Sequence, residues 1–180
     1  MKIKRGLAPS RVEGFTLMEI LIYIAVLAMI FLAVSGFLTW TTKSGAKARA
    51  IREVADNARR AMEIMTNEIR GAAGLYGPTS APGQLSLETR NYLPADETST
   101  YIDFYLCGEA TSTICFKKES QNPVAITSDR VRVSNLKFFQ LSTTIPSIQI
   151  SLNIDYKTSA QSAEYQASIN ATSTASLRNY

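Results

Sequence analysis

Glu19 is the residue whose position most needs a chemical explanation. It lies inside an apolar run that starts at Phe15, and no charged residue follows from Ile20 until Lys43. A carboxylate facing lipid at a helix centre costs roughly 2.5 to 3.5 kcal/mol, less towards the interface, and such groups usually have a partner. Glu19 therefore calls for a cation. The second chemical pair is Cys107 and Cys115, the only two cysteines, eight apart in CGEATSTIC. At that spacing they either close a small disulfide loop, with Gly108 available for the return, or stay as two thiols. The rest of the inventory is thin. The chain has no histidine, which removes Ser-His-Asp and Cys-His catalysis and His-ligated metal sites. Two cysteines alone do not make a zinc site. Gly71, Gly74 and Gly77 precede no Lys-Ser or Lys-Thr and close a helix instead of opening one, so they form no phosphate loop. Asp96, Glu97 and Asp103 show no calcium-loop pattern. The expectation is a non-enzyme with no catalytic residue, no cofactor and no metal.

The element that carries Glu19 is the apolar stretch itself. A helix rises about 1.5 Å per residue, so about 20 apolar residues match a hydrocarbon core of about 30 Å, and this stretch is long enough to span a membrane. The formal charge is +4, and most of it lies ahead of the span, where Lys2, Lys4, Arg5 and Arg11 face only Glu13. That asymmetry reads as a positive-inside orientation signal, placing residues 1–14 in the cytoplasm and everything after about Lys43 outside. An exported body favours the bridged state of Cys107 and Cys115. A secretory signal peptide has its cleavage site after the apolar region, and nothing here fits that order.

Beyond Leu38 the helical period continues through weak helix formers. Gly36, Thr39, Thr41, Thr42, Ser44 and Gly45 predict bending or local melting between Ser35 and Gly45. From Ala46, apolar residues recur at steps of three and four through Ile51, Val54, Ala58, Ala61 or Met62, Met65, Ile69 and Ala72. The opposite face offers the i,i+4 pairs Arg49/Glu53, Arg52/Asp56, Asp56/Arg60 and Arg59/Glu63, each worth about 0.2 to 0.5 kcal/mol. A helix from Thr16 to Ala73 would be roughly 87 Å long. Gly71, Gly74, Gly77 and Pro78 end it, and Thr79 to Gln84 reads as a loop.

The remainder reads as extended chain. Tyr101–Cys107 and Thr113–Lys117 flank the Gly108–Ser112 turn region as a hairpin, and Val131–Leu141 follows. Ile148, Ile150, Leu152, Ile154 and Tyr156 alternate strictly with polar residues, and Glu164–Leu177 repeats that alternation more weakly after a turn at Thr158–Ser162. The fold class expected is α+β: a long N-terminal helix whose apolar stripe packs on an antiparallel sheet of four to six strands.

The block Gly14-Phe15-Thr16-Leu17-Met18-Glu19, with its short basic leader and the apolar helix behind it, resembles the type IV prepilin signature shared by pilins and the pseudopilins of type II secretion. The resemblance implies cleavage by prepilin peptidase between Gly14 and Phe15 and N-methylation of Phe15. The α-amino cation so formed on a neighbouring subunit would be the partner of Glu19. A signal-anchor helix with Glu19 snorkelling at its cytoplasmic end is the plainer alternative. The implied organisation is a cytoplasmic leader (1–14), a transmembrane or filament-core helix (15–42), the amphipathic half of the same helix (43–74) and an extracytoplasmic sheet head (75–180). The end of the chain, Ser176-Leu177-Arg178-Asn179, is similar to that of minor pilins and J-type minor pseudopilins.

By the same resemblance the partners are the cytoplasmic membrane, prepilin peptidase, other pilins or pseudopilins in a helical filament, and an inner-membrane assembly machinery with an ATPase. The protein would reside in the cytoplasmic membrane, N-terminus inside, and after assembly in a pilus or pseudopilus at the cell surface or in the periplasm. The competing reading is a competence pseudopilin or a membrane-anchored binding module for DNA or an exported substrate. The cations of the head are matched by a similar number of acids and form no basic stripe, so no direct nucleic-acid contact is expected.

Overall fold

The structure is a computed structural model that describes residues 14–76, 83–91, 93, 95–108, 113–142, 146–158 and 163–178. The basic leader up to residue 13, most of the expected Thr79–Gln84 loop, and the larger parts of the turns at Gly108–Ser112 and Thr158–Ser162 lie outside the described residues. The chain divides into two compact units at Thr42/Lys43.

Helix α1 runs from Leu17 to Gly71. Thr16 caps its start, where the Glu19 amide donates to Thr16 Oγ1 at 3.3 Å, a contact that satisfies one of the orphan amides of a first turn. The melting expected between Ser35 and Gly45 does not occur, and α1 is unbroken there. Each threonine hydroxyl instead donates back to a carbonyl one turn earlier: Thr39 to Ser35 (3.1 Å) and Gly36 (2.9 Å), Thr41 to Phe37 (2.9 Å) and Thr42 to Thr39 (2.9 Å). These bonds give the hydroxyls a helical partner and so offset the competition that makes Thr a poor helix former.

Among the described residues, eight strands form two antiparallel sheets, where the sequence predicts one. The five-stranded sheet is a meander of β1 (Gly74–Leu75), β2 (Leu85–Thr89), β3 (Thr100–Cys107), β4 (Thr113–Lys118) and β5 (Val124–Ala125). The three-stranded sheet comprises β6 (Val131–Ser142), β7 (Ser147–Tyr156) and β8 (Ser168–Ser176), with β6 running beside β3 and β4. A short 3₁₀ turn, Ala163–Tyr165, occupies the start of the segment expected as the last strand. A bulge explains how β6 keeps one face buried. Val133 pairs with Ile154 and Asn135 with Asn153, leaving Ser134 as the extra residue. Val131 and Val133 before the bulge and Leu136 and Phe138 after it all point inward, because the extra residue reverses the parity of the alternation.

One hydrophobic core joins the helix stripe to the inner faces of both sheets. Val54, Ala58, Ala61, Met65, Ile69 and Ala72 meet Leu85, Leu87, Ile102, Phe104 and Ile114 of the first sheet and Ile148, Ile150, Leu152 and Ile154 of the second. Full burial of each large aliphatic side chain stabilises by about 1.5 to 3 kcal/mol. The stripe differs from expectation at its beginning, since Ile51 is exposed and Ala50 is buried in its place. Leu177 closes the core after β8, and the Arg178 amide donates to the Arg70 carbonyl at 3.4 Å, fastening the strand to the end of α1. Among the charged pairs expected on the helix, Glu53 takes its cation from Arg130 (3.8 Å) and not from Arg49. It also accepts from Ser128 Oγ at 3.0 Å and Asn57 Nδ2 at 3.2 Å, so the head draws it away from its i−4 neighbour.

Candidate functional site

The residues at issue sit on the first turns of α1. Gly14 and Phe15 precede the helix and are exposed. A Cβ added at Gly14 would meet no atom within 4 Å, so no contact among the described residues requires a glycine there. From Leu17 to Trp40 the large apolar side chains are all exposed, from 48 % at Ile20 to 78 % at Leu17. This segment is therefore apolar all round, and the helix is long and apolar enough to cross a membrane.

Glu19 is only half exposed among these neighbours. Its carboxylate is in no ion pair among the described residues, and its Oε1 accepts a hydrogen bond from the Tyr23 hydroxyl at 3.3 Å. Tyr23 went unnoticed in the sequence, although i,i+4 spacing puts both side chains on one helix face. Among the described residues no donor reaches Oε2. Thr16-x-x-Glu19 also has the form of a capping box, the signal that would have located the helix start. The Glu19 side chain, however, is engaged with Tyr23 on the next turn.

Cys107 and Cys115 belong to the head. They are bonded to each other, with Cα atoms 5.8 Å apart, and span the ends of β3 and β4, where Tyr105 pairs with Cys115 and Cys107 with Thr113. Gly108 takes up a φ of 98°, a left-handed conformation that favours glycine, as the chain leaves β3. Asp103 donates nothing to a metal cluster: among the described residues no three His, Cys, Asp or Glu side chains converge as ligands, and Asp103 accepts from Ser86 Oγ at 2.6 Å.

A family model described as the prokaryotic N-terminal methylation motif matches residues 9–35. The match spans Gly14, Phe15, Glu19 and Tyr23 and ends within the exposed apolar segment. It supports a type IV pilin-like protein. Such a motif implies processing by prepilin peptidase and assembly with other pilins in a membrane-associated system, and with the apolar helix it supports membrane anchoring. No curated protein and no solved structure matches the chain.

Proposed function

We propose that this protein is a minor pilin or pseudopilin, cut between Gly14 and Phe15, methylated at Phe15, and polymerised through residues 15–42 of its helix while residues 75–180 form the head outside the membrane. The observation that carries the reading is the methylation motif at residues 9–35, which from Leu17 onward lies on a helix segment whose large apolar side chains are all exposed. Two glycines support it. Gly14 and Gly36 each have open space where a side chain would stand, and at Gly36, inside the helix, glycine costs about 1 kcal/mol relative to alanine. Their smallness serves something outside the chain: a peptidase site in the first case and close helix packing in the second.

The mechanism is exchange of surroundings. Leaving lipid for a filament core replaces lipid contacts with helix contacts, and lipid is already apolar, so packing and specific polar pairs decide the register. The Phe15 ammonium of one subunit approaches Glu19 of the next at the oxygen that Tyr23 leaves open, and the pair sets the axial step. Mass spectrometry of membrane and sheared-filament fractions tests this reading. The expected N-terminus is methylated Phe15, and an intact leader in cells with active prepilin peptidase would overturn it. Replacing Gly14 with Leu should abolish cleavage while membrane insertion continues, since a Cβ there meets no described atom within 4 Å and the apolar helix is unchanged.

A further inference from the structure

The outer face of the five-stranded sheet carries a groove of about 470 Å³ that assembly through the helix does not use. The alternation that sends Leu85, Leu87, Ile102 and Phe104 inward turns Ser86, Tyr101 and Asp103 outward. The register then sets Ser86, Asp103 and Lys117 side by side across β2, β3 and β4. Just past β1, the Tyr76 amide donates to the Ser86 carbonyl at 3.0 Å, which lays Tyr76 along the same edge. Its ring centroid lies 4.4 Å from that of Tyr101 with the planes tilted by 45°, yet Tyr76 remains 55 % exposed.

The polar groups around this aromatic pair are fixed and half used. Ser86 Oγ donates to Asp103 Oδ1 at 2.6 Å. The Tyr101 amide and Thr100 Oγ1 donate to Glu119 Oε2 at 3.2 and 3.3 Å. Among the described residues, the second oxygen of each carboxylate has no protein hydrogen bond, and Lys117 beside Asp103 forms no ion pair with it. The groove thus presents an aromatic surface, two oriented acceptors, the Lys117 donor and the Gln84 amide.

We propose that this groove binds a neutral oligosaccharide. A pyranose ring has an apolar C–H face that packs on an aromatic ring and a rim of hydroxyls that need both acceptors and donors, and this is the set on offer. Charge argues against the competing ligands. Two carboxylates against one lysine repel phosphates, which disfavours nucleic acid and anionic lipid headgroups. Two rings 4.4 Å apart leave no space between them for a quaternary ammonium ion, whereas the exposed surface of Tyr76 can receive a flat ligand. The site stands independently of the helix and of filament assembly.

The test is titration of the full chain in a zwitterionic detergent that carries no sugar headgroup, with chitotetraose and cellotetraose as probes, followed by NMR. Saturable binding of either probe at a Kd of about 1 mM or tighter is expected. Tyr76→Ala and Asp103→Asn should each weaken it at least about tenfold, Tyr76→Phe should retain it, and Arg132→Ala on the other sheet should leave it unchanged. Tyr76 is exposed, so its variants should fold, and near-ultraviolet circular dichroism checks that they do. Absence of saturable binding to both probes would overturn the proposal. So would unchanged affinity in folded Tyr76→Ala and Asp103→Asn, or tighter binding of an octathymidylate than of either sugar.

Discussion

Between Leu17 and Trp40 the large apolar side chains of α1 are all exposed, whereas between Ala50 and Ile69 those at every third or fourth position lie buried under the two sheets. Both stretches belong to one helix and both are rich in apolar residues. The second is amphipathic, and the head consumes its stripe. The first is apolar on every face, and no sheet can cover a cylinder all round. The carboxylates follow the same division. Glu53 receives Arg130, Ser128 and Asn57 from within the chain, whereas Glu19 receives one phenol. In the proposed filament, a group so sparsely served on a surface so apolar would draw its remaining partner from another subunit.

Glu19→Leu is the substitution that separates the two halves most sharply. The ratio of filament-associated to membrane-associated protein should fall by more than about tenfold, because the neighbouring Phe15 ammonium would be buried without a counter-ion, at a cost of several kcal/mol. Insertion into the membrane should become easier and the head should keep its near-ultraviolet circular dichroism. An unchanged ratio would make Glu19 a tolerated interfacial residue and remove the ion pair as the source of register.

The converse substitution lies on the buried half. Met65 is fully buried in the core, and Met65→Ala should destabilise the head by about 2 to 5 kcal/mol in chemical denaturation. Leu27→Ala, on the exposed half, should leave the denaturation midpoint of the head where it was. Equal effects of the two would mean that the exposed segment contributes to the stability of the head, and the contrast between the halves would fail.

These contrasts were partly legible in the amino-acid order. The period of Val54 to Ile69 and the strict alternation from Ile148 to Ile154 each state a local pattern that the fold keeps, and the motif around Gly14 and Glu19 lies within the residues that the methylation-motif model matches. What was not legible depended on long-range partners. The bulge at Ser134 hides the alternation of β6, and strands of two residues such as β1 and β5 carry too little pattern to find. Whether Ala50 or Ile51 faces the core is a matter of helix phase, a difference of one residue that the sheets decide. Glu53 left Arg49 for Arg130 because a loop distant in sequence brought a cation and a hydroxyl together. Intrinsic propensity misjudged Ser35 to Gly45, where the threonine hydroxyls found helical carbonyls.

Tyr23→Phe sharpens the account of the exposed half. One hydrogen bond to the Glu19 carboxylate is lost, and a net value of about 0.5 to 1.5 kcal/mol corresponds to a roughly two- to tenfold fall in filament incorporation. The decisive comparison is the same substitution in the Glu19→Leu background, where it should have no effect. A similar fall in both backgrounds would assign Tyr23 to helix packing and not to holding the carboxylate.

The smallest effect is expected at Glu68, the carboxylate that the buried half places beside its stripe. Burial raises its carboxyl above the usual value of about 4.3, and the Lys118 ammonium opposes that shift only in part. A raised folded-state pKa means that the native head holds this proton more tightly than the unfolded chain does. The stabilising contribution of the protonated form is therefore complete below the unfolded value and is lost as pH rises through the folded one. At pH 7 the charged carboxylate carries its full desolvation cost, and Glu68→Gln, which keeps the shape and removes the charge, should raise the melting temperature of the head slightly. The difference should shrink to nothing near pH 4, where wild-type Glu68 is protonated in the folded protein and other groups titrate alike in both proteins. A gain that persisted at pH 4 would trace to packing of the amide, whereas a loss at pH 7 would show that the attraction of Lys118 outweighs burial.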